Sequence, residues 1–475
     1  MGYMHLSIFE LHNLIVSNQV SPLELVEEAL LLAANDSNNA FEYICKKEAI
    51  DAVKKLDGKN KDNLLYGIPV VIKDNLLTKD IPTTASSNIL NGYTPTYSSE
   101  SVNILEDAGA IIIGKSTMDE LAMGGKGTNG HLGPTYNPWD KTKTRIIGGS
   151  SSGSAAVVAS GIVPFSIGSD TGDSIRKPAS YAGLVGLKPT WGLISTKGLL
   201  PFASSLDHVG YFTRNIKDSA AILSILTNSN KKDYCNNLDN SIKGKKIAVI
   251  KQIIDLIDNH NLLDAFNKTV SHLTKLGAQV DFVEMDIKIL KSIYPTYTII
   301  SGVESTKNNA CLDGINLGVK IEGENELETK MNSRTKGFGY LVKRKFVIGG
   351  YSLLDDGNGN LYKIAKKSRK SIVQSFDKLF EKYDAIYCPA ATGPAPFADK
   401  VFDELSDEFL IAENYLAFAN LGGYPSITVP VGFDEDMPIG ANLTCKQFDE
   451  CNLFSIAKKI EDITGLEDLS IYKVK

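Results

Sequence analysis

The chain has 475 residues, a net charge of −6, 43% hydrophobic residues and 22% charged residues. That is enough chain for a large core and an ordinary balance for a soluble globular protein. The acidic excess excludes a nucleic-acid role carried by bulk charge, and the local basic runs Lys343-Arg344-Lys345 and Lys366-Lys367-Ser368-Arg369-Lys370 read as solvated faces.

The first sixty residues are expected to be helical. Ser21-Pro22-Leu23-Glu24 is a start signal, with Ser21 as cap, Pro22 at the first helical position and Glu24 closing a capping box. Val26, Ala29 and Leu30 then recur at helical spacing. From Leu65 the pattern changes to apolar strands alternating with helices, an α/β arrangement. Strands are expected over residues 67–73, 109–113 and 162–167, and helices over 102–108 and 150–161, with another within 211–225. Residues 228–244 are polar and Asn-rich, a boundary or surface loop. Strands are expected again over 246–250, 278–283, 383–388 and 425–430, with helices over 260–276 and from about 452. The stretch 320–370 is charged and reads as an irregular excursion, with Gly357-Asn358-Gly359 as a turn.

Six cysteines (Cys45, Cys235, Cys311, Cys388, Cys445, Cys451) lie without a C-x-x-C pair, the usage of reduced thiols in a cytoplasmic protein. No run approaches the ~20 apolar residues of a membrane span, and no secretory leader is expected. The six histidines show no ligand spacing, so no metal is expected. Residues 109–116, GAIIIGKS, match the phosphate-loop pattern. The physics opposes that reading, because the four wild-card positions are Ala and three Ile and form the strand itself.

The chain is organised around residues 148–178. Gly148-Gly149-Ser150-Ser151-Ser152-Gly153-Ser154 and Gly168-Ser169-Asp170-Thr171-Gly172-Asp173-Ser174-Ile175-Arg176 flank an apolar run too hydrophobic for a linker. Glycine-rich turns of this kind let backbone N–H groups and short hydroxyls converge on one centre. A serine attacks a carbonyl when one group takes its proton and another receives the oxyanion. Gly172-Asp173-Ser174, with successive backbone N–H groups leading into a serine, suits the second task. Lys73, ending an apolar strand, suits the first if burial lowers its pKa from about 10.4 towards neutrality.

These stretches, with Gly67-Ile68-Pro69-Val70-Val71-Ile72-Lys73-Asp74 before them, resemble the amidase signature family. The resemblance implies one α/β/α domain over residues 1–475 with a mixed central sheet and helices on both faces. Residues 1–64 would be N-terminal helices, 65–227 the signature core, and 245–475 the remainder with its excursion near 320–370. It implies a Ser–Ser–Lys triad, with Lys73 as base, Ser150 as relay in a cis peptide and Ser174 as nucleophile; the two serines stand 24 residues apart, as in the family. Met118-Asp119-Glu120-Leu121-Ala122-Met123-Gly124, Phe202-Ala203-Ser204-Ser205-Leu206-Asp207 and Asn420-Leu421-Gly422-Gly423-Tyr424-Pro425 are similar to one branch, the A subunits of tRNA-dependent amidotransferases. That branch implies glutamine as substrate, an oxyanion held on the amides of Thr171, Gly172, Asp173 and Ser174, Glu413 for its amine, Arg344 for its carboxylate, and ammonia delivered to a B subunit that works on Glu-tRNA(Gln). A small C subunit would join them. No cofactor is implied here, because ATP and Mg²⁺ serve the partner.

The chain departs from the family at the nucleophile, where Gly172-Asp173-Ser174 replaces Gly-Gly-Ser. Ser152 replaces a glycine, Lys177 and His208 stand where glutamine is common, and Glu413 replaces an aspartate. An inward-pointing Asp173 would oppose an oxyanion. Two alternatives therefore stay open: a stand-alone amidase for another small amide, and a scaffold subunit without chemistry.

Overall fold

Ser21 caps the helix Pro22–Ala34, and the capping box with Glu24 is present in both directions. In the computed structural model, which describes residues 2–227, 232–354 and 360–471, this helix packs with Lys46–Lys54, while Ile8–Val16 meets the helix Ile216–Leu226 through the Ile8 N–H to Asp218 and Lys217 over the Phe9 ring. The first sixty residues also contain a strand that the helical reading missed, β1 (Phe41–Ile44).

Ten further strands follow: β2 (Pro69–Lys73), β3 (Ile111–Ser116), β4 (Phe165–Asp170), β5 (Val185–Lys188), β6 (His208–Thr213), β7 (Lys246–Ile250), β8 (Gln279–Val283), β9 (Ala385–Pro389), β10 (Ser426–Asp434) and β11 (Met437–Cys445). All eleven form one sheet in the order β1-β3-β2-β4-β6-β5-β10-β11-β9-β7-β8. It is mixed: β2 runs parallel to both β3 and β4, β7 runs parallel to β8 and β9, and the strands between are antiparallel. Every residue of β2, β3, β4, β5, β6, β9 and β11 is buried. Successive side chains of a strand point to opposite faces, so this burial means that both faces are covered, as in α/β proteins.

Three expectations shift. The strand expected over 162–167 is β4, three residues later, because a turn with Gly161 at φ +62° follows the helix Ser152–Ala159. The strand expected over 109–113 runs on to Ser116, so Gly114-Lys115-Ser116 is strand rather than a phosphate loop; the Lys115 ammonium is buried 3.1 Å from Asp74. The stretch 320–370 is helical rather than irregular, with helices Glu326–Gly337, Tyr340–Ser352 and Leu361–Phe380. The turn expected at 357–359, and the first part of the loop expected from 228, lie outside the described residues. Among the described residues no helix is long and apolar enough to cross a membrane.

Candidate active site

Because β2 and β4 are parallel neighbours, their C-terminal ends open on the same edge of the sheet, where α/β proteins place ligands. β2 delivers Lys73 there, β4 delivers Ser169 and Asp170, and the turn before the helix Ser152–Ala159 delivers Ser150 and Ser151. Lys73 is wholly buried. Its Nζ donates to Ser150 Oγ at 2.8 Å, Ser151 Oγ at 2.8 Å and Ser169 Oγ at 2.9 Å. Burial pulls its pKa down to about 7, against the opposing attraction of Asp119, Asp170 and Asp207. An amine at that value is partly neutral at physiological pH and can accept a proton. Ser151 donates onward to the Ser169 carbonyl at 2.9 Å, and Asn75 Nδ2 donates to Ser169 Oγ at 2.9 Å. Ser151 and Ser169 are lysine partners that motif reading did not single out.

The peptide Gly149–Ser150 is cis, as the resemblance implied for the relay serine. Asp119, fully buried, accepts from the N–H groups of Gly127, Thr128 and Asn129 and lies against Gly149, where a Cβ would sit 2.0 Å from its Oδ2. Glycine is required there by close approach.

The turn from Asp170 to Ser174 is held from behind. Arg176 and Asp170, both buried, meet through Nη2–Oδ1 at 3.0 Å and Nε–Oδ2 at 3.1 Å, a bidentate pair. Arg176 together with Asn420 holds Asp170 ionised, its pKa depressed despite its burial. Four carbonyls of the turn have internal donors: Asn420 Nδ2 to Asp170, Arg176 Nη2 to Gly172, the Lys177 N–H to Asp173, and the Ser151 N–H to Ser174. By contrast, among the described residues none of the N–H groups from Thr171 to Ser174 has an acceptor. A run of unpaired N–H groups with its carbonyls turned away is an anion-accepting nest. Asp173 does not take a left-handed φ, so the side chain is accommodated without backbone strain. Thr171 Oγ1 donates to Asp207 Oδ1 at 2.7 Å, and Asp207 also takes the N–H groups of Phe202 and Ala203; burial raises its pKa to about 6.

Ser174 is buried beside this nest, yet no described residue hydrogen-bonds its hydroxyl. The structure therefore brings Lys73 to Ser150 but leaves the Ser150–Ser174 step open. The two substrate-side residues differ in exposure. Glu413 is buried and engaged by Lys177 Nζ at 3.1 Å and by the Thr392 hydroxyl. Burial works to raise its pKa, but Lys177 and Thr392 outweigh that and lower it. Arg344 is exposed on the helix Tyr340–Ser352. Its neighbour Lys345 turns inward instead, with Nζ 5.3 Å from the Tyr297 ring centroid and 5.9 Å from that of Phe202; burial draws its pKa down to about 8. Tyr297 in turn packs on Gly172, where a Cβ would lie 2.8 Å from its Cζ. Among the described residues no group of three His, Cys, Asp or Glu side chains is placed to hold a metal ion.

A family model described as Amidase matches residues 24–454. The chain is 38% identical to the A subunit of glutamyl-tRNA(Gln) amidotransferase from Staphylococcus haemolyticus (strain JCSC1435), over 98% of this chain and 99% of that one. It is also 38% identical to the protein of the same name from Lactococcus lactis subsp. lactis, over 98% of each. Among solved structures it is similar to the A subunit of glutamyl-tRNA(Gln) amidotransferase from Thermotoga maritima, with TM-score 0.74, 30% identity and coverage of 97% and 95%. It also superposes on an amidase, with TM-score 0.81, 26% identity and coverage of 97% and 100%. The match over nearly the whole length, in sequence and in fold, leaves one assignment: this chain belongs to the amidase family.

Proposed function

We propose that this chain is the glutamine-hydrolysing subunit of a tRNA-dependent amidotransferase, with Lys73, Ser150 and Ser174 as its catalytic residues. The observation that carries this reading is a buried Lys73, its pKa near 7, 2.8 Å from Ser150 at the same sheet edge as an unpaired run of N–H groups. Neutral Lys73 takes a proton from Ser150 as Ser150 takes the proton of Ser174. The Ser174 Oγ–carbon bond forms at the side-chain amide, and the oxyanion sits on the N–H groups of residues 171–174. As it collapses the C–N bond breaks, the returning proton goes to nitrogen, and ammonia leaves. Water then adds to the γ-glutamyl ester, the Ser174–carbon bond breaks, glutamate departs and Ser174 regains its proton. The open Ser150–Ser174 step fits a free enzyme, where catalytic contacts close on substrate.

In this reading ammonia passes to a B subunit that converts Glu-tRNA(Gln) with ATP and Mg²⁺, a C subunit joins the two, and the complex works in the cytoplasm. The whole-length similarity to relatives named as amidotransferase A subunits supports it. The TM-score of 0.81 to an amidase favours a second reading, a stand-alone amidase.

The test is ammonia release from glutamine by the chain co-expressed with B and C subunits, wild type beside Ser174→Ala. Release by the wild type and none by the variant is expected. Activity on simple amides without partners would favour the second reading. No release from either, in a complex that still uses free ammonia, would make the chain a scaffold.

A further inference from the structure

A carboxylate next to a nucleophilic serine is an electrostatic liability. Asp173 precedes Ser174 and its own N–H belongs to the unpaired run, so a free negative charge there would oppose the charge that develops on the substrate oxygen. The structure places one cation against it. Lys177 lies one helical turn on, with its N–H bonded to the Asp173 carbonyl at 3.0 Å and its Nζ 3.6 Å from Asp173 Oδ2. The same ammonium meets Glu413 Oε2 at 3.1 Å and the Glu413 carbonyl. Its long arm is buried and cannot swing into water. The other charges close by are Asp170 and Arg176, which are spent on each other. Lys177 is therefore the one described cation paired with Asp173. The attraction of Glu413 and Asp173 raises the Lys177 pKa in spite of burial, so it stays charged; burial raises the Asp173 pKa, and Lys177 is the largest influence holding it down.

We infer that Lys177 is a positioning residue for amide cleavage: it holds the Asp173 carboxylate away from the oxyanion-accepting N–H groups and cancels its charge there. This rests on the reading of Ser174 as nucleophile. Asp173 is harmless only while Lys177 is present, so the two positions depend on each other.

The experiment uses the assembled complex and four forms: wild type, Lys177→Gln, Lys177→Arg, and Asp173→Asn with Lys177→Gln. Steady-state glutamine hydrolysis gives kcat and KM. In parallel, the rate at which Ser174 displaces fluoride from phenylmethylsulfonyl fluoride, forming an O–S bond, is read by mass spectrometry and needs no glutamine. Lys177→Gln is expected to lower kcat and the sulfonylation rate by about tenfold or more, because an uncompensated charge in a buried site acts strongly. Lys177→Arg should keep most of both rates. Adding Asp173→Asn to Lys177→Gln should restore both to within about threefold, while any change in KM that traces to Glu413 persists. The inference is overturned if Lys177→Gln leaves both rates intact. It is equally overturned if the double variant is as slow as the single one, which is what a merely structural tie between Lys177 and Glu413 gives. If the pattern holds in sulfonylation while no form hydrolyses glutamine, the inference stands and the glutaminase reading fails.

Discussion

Arg176 and Asp170, six residues apart and both fully buried, grip each other through two contacts of 3.0 and 3.1 Å, and the loop between them carries Ser174. The pair acts as a clasp: it fixes both ends of the turn and turns the Gly172 carbonyl inward, which leaves the N–H groups free. Removing one partner of a buried pair strands the other charge and costs about 3–5 kcal/mol. Arg176→Met is expected to lower the denaturant midpoint by a corresponding amount and to abolish ammonia release; an unchanged midpoint would show that the clasp is not needed.

The pH dependence follows from Lys73. Its folded pKa of about 7 lies below the ordinary lysine value because burial disfavours the charged form. The base must be neutral, so kcat/KM should rise with pH through about 7 and level off above it. A lysine with an ordinary pKa would keep rising to about 10. A pH–rate profile of the complex from 5.5 to 10 checks this. The same shift costs stability, since the unfolded chain binds the extra proton more readily. That cost is full below pH 7 and fades as the pH approaches the unfolded value.

Lys73 touches three hydroxyls, but they are not equivalent. Ser151 is committed to the Ser169 carbonyl, whereas Ser150 has no other hydrogen-bonded side-chain partner among the described residues. Ser150→Ala should therefore cost on the order of 10²-fold or more in kcat, the scale of a lost proton-transfer step. Ser151→Ala should cost far less. Equal losses would remove the case for Ser150 as relay.

Gly172 is pressed against a ring. An added methyl would lie 2.8 Å from Tyr297 Cζ, and either the ring or the turn must move. Gly172→Ala is expected to lower kcat on the order of a hundredfold, the cost of misplacing a reacting group by about 1 Å. Adding Tyr297→Ala should recover part of it. If it recovers nothing, the loss lies in the backbone rather than in the contact.

Glu413 sits under Lys177 and Thr392. If it also receives the substrate's amine, Glu413→Gln should raise KM for glutamine about tenfold or more, the worth of a hydrogen bond to a charged group, with kcat changed much less. A fall in kcat alone would assign it to the framework.

The meeting of Lys73 with Ser150 was legible because each lies in a short motif whose glycines and apolar run state the local backbone. The nest was legible for the same reason. Lys177 was not, because its meaning depends on Glu413, 236 residues away, which only the fold brings near. Asp173 was therefore weighed as a bare charge. β5, with four residues and a central Gly186, carries too little pattern to stand out from loop. The helices within 320–370 hid for another reason: Leu327, Met331, Tyr340, Val347 and Tyr351 face outward, which breaks the one-sided apolar spacing that marks a helix.

The order of the sheet also dictates when it can be finished. β1 to β6 lie on one side and β7 to β9 on the other, and in the sheet only the hairpin of β10 and β11 joins them. That hairpin spans residues 426–445 of 475. During synthesis the ladder edges of β5 and β9 stay bare until that hairpin has emerged, and bare edges invite foreign strands. A ribosome that stalls before the hairpin emerges leaves two half-sheets with open sides, so for this chain the arrival of residues 426–445 decides between a native sheet and an aggregate.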